Sequence, residues 1–296
     1  MKIIKPSVEI LEQGSGLDGI YKQIELAGRE CYASSHKIGE NTAKQFVDRM
    51  IKSGHGAMLE HGTVYLQMPL DKWMQDFRME ICPGRTHVNT LDETNSAFIT
   101  TNYRVLVENN ALDLLEWLCE KPESMHELRV TARFNTQIAI SREYNRHRVN
   151  SIAESSTRYC NYSKDKFGNE ISINLPTWID VLPPIPYNEN TLQDYCKLLG
   201  DNIDSPLASI DWWLFANLAC EYSYMKLIEN GWMAQQARTV LPLDTNSTLV
   251  HTAFVSGWQH FFDLRSRGTT GKPHPDAKVL ADQLLQMFVE REYIHE

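Results

Sequence analysis

The apolar positions along the chain change period several times, and each change marks a predicted element. Residues 1–13 are strand-like, and Ile20, Ile24 and Ala27 then recur at helical spacing, which predicts a helix over residues 20–31. Residues 34–40 read as a loop, and residues 41–51 as a second helix that stops near Ser53 and Gly54. Residues 61–68 alternate like a half-buried strand, residues 96–107 are rich in β-formers, and residues 112–120 look helical. Leu128, Val130, Ala132 and Phe134 share one face at period two, so residues 127–134 form a strand. Asn135 and Thr136 are placed to cap a helix on which Ile138, Ser141, Arg142, Asn145 and Arg146 share a face. That helix is expected to end near Arg148, leaving residues 149–159 as an irregular loop.

Pro176, Pro183, Pro184 and Pro186 break regular structure, and we read this stretch as a surface excursion within one domain. Ser205 and Pro206 begin a long helix through Ile210, Leu214, Leu218, Met225 and Ile228 that Asn230 and Gly231 end. Trp212, Trp213 and Phe215 on it read as core or interface residues. A last amphipathic helix covers residues 276–293.

Composition narrows the function classes. With 296 residues and 42% hydrophobic content the chain can fill a substantial core. Its net charge of -9 argues against a sequence-independent nucleic-acid binder, which needs many cations against phosphates. Six cysteines lie scattered without a CxxC pair, and the first residues lack the apolar length of a signal peptide. No stretch approaches the ~20 apolar residues of a membrane span. A reducing cytoplasm is therefore the expected setting, with no membrane or nucleic-acid partner. Metal chemistry is not expected either, because HExxH and clustered Cys/His ligands are missing from the sequence.

Two motifs bear on chemistry. Gly14, Gly16 and Gly19 form a literal GxGxxG, but no second strand ending in an acid follows at the spacing a dinucleotide fold needs, and a plain turn is the better reading. More informative is RHRVNSIAESSTRY, residues 146–159, which gathers Arg146, His147, Arg148 and Arg158 among hydroxyls in an acidic chain. Guanidinium forks, Ser and Thr hydroxyls and free loop amides suit an anionic ligand. On charge alone a solvated basic turn is an equal reading.

The residue order decides between them. It resembles the RHRxxSxNExSxRY signature of the flavin-dependent thymidylate synthases at Arg146, His147, Arg148, Ser151, Glu154, Ser156, Arg158 and Tyr159, with Ala153 in place of Asn. SGHGAMLEH at residues 53–61 is similar to the family's GHxTPxEH, ARTVLPLDT at residues 237–245 to its ARxVLP, and Leu264, Arg265 and His274 to its closing elements. An insertion is expected at about residues 69–126.

The resemblance implies one α+β domain over residues 1–296, a twisted, mostly antiparallel sheet covered by long helices, assembled as a homotetramer with shared sites. It implies methylation of deoxyuridylate (dUMP), with methylenetetrahydrofolate as carbon donor and NADPH as reductant through FAD, and no enzyme nucleophile. Cys160, next to the motif, is accordingly read as structural. The dUMP residues implied are Glu143, Tyr144, Asn145, Arg146, Glu154, Ser155, Ser156, Thr157, Arg158, Arg265 and, from another subunit, Arg238. Arg265 is the catalytic residue, stabilising charge on the uracil ring. FAD falls to Ala57, Arg146, His147, Arg148, Glu154, Phe254, Ser256 and His260, and folate to His55 and Tyr159. Ala57, Phe254 and His260 stand where polar side chains are expected. Two rivals remain at this point: an NADPH-oxidising flavoprotein reductase without methyl transfer, and a nucleotide-binding module that has lost FAD.

Overall fold

The period of the N-terminal pattern predicts what packs. In the computed structural model, which describes residues 1–76, 84–200 and 207–295, Ile20, Ile24 and Ala27 are fully withdrawn from water on one face of a helix. The strands are β1 (Lys2–Ile4), β2 (Ser7–Leu11), β3 (Thr63–Pro69), β4 (His87–Leu91), β5 (Ser96–Asn102), β6 (Arg129–Gln137), β7 (Ser151–Glu154), β8 (Ser172–Asn174) and β9 (Asn246–Phe254). The helices are α1 (Gly16–Cys31), α2 (Thr42–Lys52), α3 (Gly56–Leu59), α4 (Leu70–Gln75), α5 (Tyr103–Glu108) and α6 (Ile138–Tyr144). They continue with α7 (Glu189–Leu199), α8 (Ser209–Glu229), α9 (Ala234–Ala237), α10 (Val255–Phe262) and α11 (Pro275–Glu290). The α+β expectation holds. The expected helix start at Ser205 and Pro206 lies outside the described residues.

The chain forms two compact units, each built from three separate stretches. Unit 1 takes Met1–Ser7, Asn135–Glu143 and Ser155–Ser247, and unit 2 takes Val8–Phe134, Tyr144–Glu154 and Thr248–Glu296. The proline-rich excursion thus sits inside unit 1.

Unit 2 carries a three-stranded antiparallel sheet in the order β3-β5-β4, and β7 and β9 pair antiparallel in a four-stranded sheet ordered β2-β6-β9-β7. Its main core packs Ile20 and Ile24 against Phe46, Val47, Val64, Leu66, Ile99 and Leu106. Gly28 lets α1 and α2 approach: a Cβ there would lie 2.4 Å from the Phe46 ring. The side-chain amide of Gln13 clamps β3, donating to the Thr63 carbonyl and accepting its N–H, both at 2.8 Å. A second core joins Phe134, Tyr144, Trp258, Phe261 and Phe288 through edge and tilted ring contacts.

Unit 1 pairs β1 with β8 in parallel. Leu192, Tyr195, Leu214 and Leu218 bring α7 and α8 together, with Trp213 and Phe215 half-buried against them. The Trp213 indole donates to Asp244 at 2.7 Å, which gives its polar edge a partner.

Several expectations need correction. Residues 96–107 are not one strand: Asn102 ends β5 and caps α5, its side chain accepting the Val105 N–H. Asn135 and Thr136 do not cap a helix, because β6 runs through them to Gln137. The following helix stops at Tyr144, and residues 151–154 of the expected loop form β7, paired from Ser151↔Thr252 to Glu154↔Leu249. Residues 112–117 are a 3-10 helix. The GxGxxG is a turn closed on itself, with Gly19 so near Gly14 that a Cβ would meet its carbonyl oxygen at 1.8 Å. Among the described residues no helix is long and apolar enough to cross a membrane.

Candidate active site

The predicted residues divide between the two units, and each group is built locally. In unit 2 the chain leaves α6 at Tyr144, whose fully buried hydroxyl donates to the Ala277 carbonyl at 2.7 Å. That bond anchors the start of the motif and commits the Tyr144 side chain to the core. Asn145 then reaches across the turn to donate to Glu154 Oε2 at 2.9 Å, tying the two ends of the segment together. Between them Arg146 and Arg148 stand exposed while His147 turns inward, 5% exposed.

His147 lies against Phe261 at 4.9 Å and His260 at 5.8 Å between ring centroids. Its Nε2 accepts the Nε–H of Arg265 at 3.3 Å. Burial first, then the charge of Arg265 and the neighbouring His260, hold its pKa down at about 4, so the ring is neutral near pH 7 and able to accept. Arg265 projects from a π turn, Asp263–Arg267, that continues α10 and ends at Gly268, where φ is +69°. A two-sided hold therefore sets its direction: an irregular turn in the backbone and an imidazole on the side chain.

The other unit 2 positions surround this centre in sequence but differ in exposure. His55, Ala57, Ser256 and His260 are exposed, and Glu154 and Phe254 half-buried. The Ser256 hydroxyl is occupied, donating to Glu127, which also meets His87 at 3.1 Å.

Two residues that sequence reasoning missed stand beside them. Arg129, on β6, donates to the Glu60 carbonyl and to the Ser151 and Thr63 hydroxyls, and its guanidinium lies 5.5 Å from the Phe254 ring centroid. Asn150 is buried, and neither of its side-chain polar atoms has a hydrogen-bond partner among the described residues. Together with Phe254 they line a recess of about 200 Å³. The only sequence signal was a cation interrupting the alternation of a core strand, and an amide inside the motif.

In unit 1 the second half of the motif forms a tight turn in which the Ser156 carbonyl accepts the N–H groups of Tyr159 and Cys160, both at 3.0 Å. Arg238, expected from another subunit, reaches Thr157 of its own chain, donating to Oγ1 at 3.3 Å. Ser155 meets the Ser247 hydroxyl at 3.3 Å. Arg158 is exposed and lies over the exposed Tyr159 ring at 5.4 Å, and Glu143 is half-buried at the end of α6. Cys160 is buried, and its carbonyl accepts from the Tyr224 hydroxyl.

The arginines of the chain differ in charge pairing. Arg29, Arg85, Arg104, Arg133, Arg267 and Arg291 each hold a carboxylate. Arg146, Arg148, Arg158 and Arg238 hold none among the described residues, although acidic residues outnumber basic ones in the chain. Guanidiniums left unpaired in an acidic protein are competent to take an anion from solution. Among the described residues no group of three His, Cys, Asp or Glu side chains is placed to hold a metal.

Comparisons with known proteins bear on this site. A family model described as thymidylate synthase complementing protein matches residues 100–291. A flavin-dependent thymidylate synthase from Tropheryma whipplei (strain TW08/27) is 24% identical over 168 residues, 54% of this chain; the chain spans only 63% of that relative's length. Among solved structures, the UMP/dUMP methylase PolB from Streptomyces cacaoi, bound with 5-Br UMP, covers 98% of this chain at 15% identity and a TM-score of 0.44. Thymidylate Synthase X from Helicobacter pylori, with FAD and dUMP, covers 95% at 13% identity and a TM-score of 0.39. Superpositions that loose transfer no residue roles. The family match, by contrast, covers well over half of the chain and includes the whole arginine motif, and the chain belongs to the thymidylate synthase complementing protein family.

Proposed function

We propose that the protein is a flavin-dependent thymidylate synthase, converting dUMP to dTMP with methylenetetrahydrofolate as carbon donor and NADPH as reductant through FAD. The observation that carries this reading is that the motif's Arg146, Arg148 and Arg158 have no carboxylate partner among the described residues, in a chain of net charge -9. Membership of the family supports it.

The chemistry follows from the residue types. Arg146, Arg158 and Arg238, with the Ser156 and Thr157 hydroxyls, supply forked and neutral donors for the phosphate of dUMP. Arg265 acts on the base: a fixed guanidinium stabilises negative charge as a ring nitrogen of uracil loses its proton, which makes ring carbon five a better nucleophile. His147 acts through Arg265 as its positioning residue. No enzyme nucleophile is required, and Cys160, buried among structural contacts, is not offered as one.

The residues present also fit FAD. Exposed Arg146 and Arg148 can meet its phosphates. When bound, FAD supplies the redox link between NADPH and the transferred carbon. Ala57 and Phe254 give it apolar contact rather than side-chain hydrogen bonds. His55 and Tyr159, both exposed, are assigned to the folate.

The test is a single reaction containing protein, FAD, NADPH, methylenetetrahydrofolate and dUMP, with dTMP quantified. We expect dTMP only when all are present. NADPH oxidation without dTMP means a reductase, and dUMP binding by a protein that never takes up FAD means a bare nucleotide-binding module.

We further propose a homotetramer with sites shared between subunits. Mixing Arg265→Ala chains with Arg158→Ala chains should then restore part of the activity that each homogeneous variant lacks. Complete absence of rescue in verified mixed tetramers would discard the shared-site arrangement.

A further inference from the structure

Arg265 can act on a base only while the turn that carries it keeps its shape, and that shape is an uncommon one. Asp263–Arg267 is a π turn following α10. An α-helix advances about 100° per residue, so relaxation of the wider turn to α geometry would rotate Arg265 about the axis by an angle of that order. Local ties close the two ends of the turn: the Asp263 carbonyl accepts the Thr269 N–H at 2.9 Å, and Arg267 pairs with the Asp263 carboxylate at 3.0 Å.

A further hold comes from α11. Ser266, the neighbour of Arg265 in the chain, is buried, and its hydroxyl donates to Asp282 Oδ1 at 2.5 Å rather than back to its own helix. Its carbonyl accepts from Lys278 Nζ at 2.9 Å. Lys278 and Asp282 also bind each other, with Nζ 2.8 Å from both carboxylate oxygens. One residue is thus gripped at main chain and side chain by a closed network of three.

As helix stabilisation the pair is badly placed. Lys278 is the fourth residue of α11, where the positive end of the helix dipole opposes a cation, and it precedes its acid, the weaker order for a pair four positions apart. The two side chains are 46% and 45% exposed, and an isolated pair so open to water contributes little to stability. What the pair has is a direction, since both partners reach the residue beside Arg265.

We propose that Ser266, Lys278 and Asp282 form a latch that positions Arg265 for its work on the uracil ring. The latch rests on the reading of Arg265 given above and deepens it: the imidazole of His147 sets the guanidinium, and α11 sets the backbone from which it projects. The three act through Arg265 and are positioning residues. All of them, with His147, lie within unit 2.

The experiment pairs kinetics with a probe of Arg265 that needs no substrate. dTMP formation, melting temperature and the His147 imidazole resonances at pH 7 in isotope-labelled protein are measured for wild type, Arg265→Ala, Asp282→Ala, Asp282→Asn and Gln286→Ala. We expect Asp282→Ala to lower kcat by about tenfold or more, because small misplacements of an acting group are costly, while KM for dUMP moves less than about threefold. The melting temperature should shift by no more than about 2 °C, since only exposed side-chain atoms are removed. The His147 resonances should move in the direction seen in Arg265→Ala. Asp282→Asn keeps an oxygen for the Ser266 hydroxyl and should recover most of both effects. Gln286→Ala cuts an exposed 2.8 Å bond to Glu290 one turn further along α11 and should behave as wild type. If either kcat or the His147 resonances keep their wild-type values in Asp282→Ala, the latch is overturned and Arg265 retains its role; an equal loss in Gln286→Ala has the same meaning. Wild-type turnover in Arg265→Ala, or no dTMP from any of the proteins, overturns the reading of Arg265 and the latch with it.

Discussion

Arg265→Ala should lower kcat/KM for dTMP formation by roughly 10²–10³, the usual consequence of removing a preorganised group from developing charge. The fold should survive, because the side chain is half-exposed. Arg265→Lys should recover only part of the loss: an ammonium keeps the charge but not the Nε–H that His147 accepts. The effect should fall on kcat more than on KM for dUMP, since phosphate binding is assigned to other residues. Circular dichroism and melting curves establish folding, and steady-state kinetics give the split. Activity within threefold of wild type in Arg265→Ala would remove this residue from the mechanism.

Acid should destabilise the protein well before its carboxylates titrate. His61, His147 and His251 are buried, and their pKa values are held down at about 3, 4 and 3. Burial is the leading cause for each, followed by Arg129 for His61, Arg265 for His147, and His147 and His61 for His251. The ordinary value is about 6.5, so the unfolded chain takes up these protons first. Stability is then complete above about pH 6.5 and falls as the pH drops from 6.5 toward 4.

At about 1.4 kcal/mol per unit, each histidine costs roughly 2–3 kcal/mol by pH 4.5. Neighbouring sites share their fields and do not add fully. The sum is still several kcal/mol against a typical total of about 5–15, so the melting temperature should drop by about 10 °C or more between pH 7 and pH 4.5. His251→Leu gives the internal control. Both ring nitrogens of His251 lack partners among the described residues, so an apolar replacement should raise stability at pH 5 by about 1–3 kcal/mol and flatten the profile. A melting temperature that stays level from pH 7 to pH 4.5 refutes the account.

Much of the fold was legible because local pattern and burial agreed. Ile20, Ile24 and Ala27 announced α1, and Val279, Leu280, Leu284 and Phe288 announced α11; all are withdrawn from water on one helical face except Val279, which is exposed. Long-range pairing was harder to read. Residues 151–154, Ser-Ile-Ala-Glu, have little strand character of their own and become β7 because β9 supplies the ladder. Likewise α6 stops at Tyr144, where a bond to Ala277, 133 residues away, replaces another helical turn.

The candidate site shows the same divide. The motif's residue types were enough to point to an anion, and the structure leaves Arg146, Arg148 and Arg158 without carboxylates among the described residues. Periodicity could not show that His147 faces Arg265, because the two are 118 positions apart and meet through a π turn that no spacing rule anticipates. Nor could it reveal Asn150, whose buried amide has no hydrogen-bond partner among the described residues.

The interleaving of the two units also limits how this protein can be rebuilt. The chain passes from one unit to the other after residues 7, 134, 143, 154 and 247, so exchanging one unit with that of a relative takes five junctions. A single crossover placed between residues 8 and 247 hybridises both units at once, and an isolated half-length fragment carries neither in full. The last two of the first four passages bracket residues 144–154, eleven positions that include Arg146, His147 and Arg148. Inheritance of that short segment is therefore bound to compatibility with partners on both sides of it in the chain, which constrains shuffled libraries far more than its length suggests.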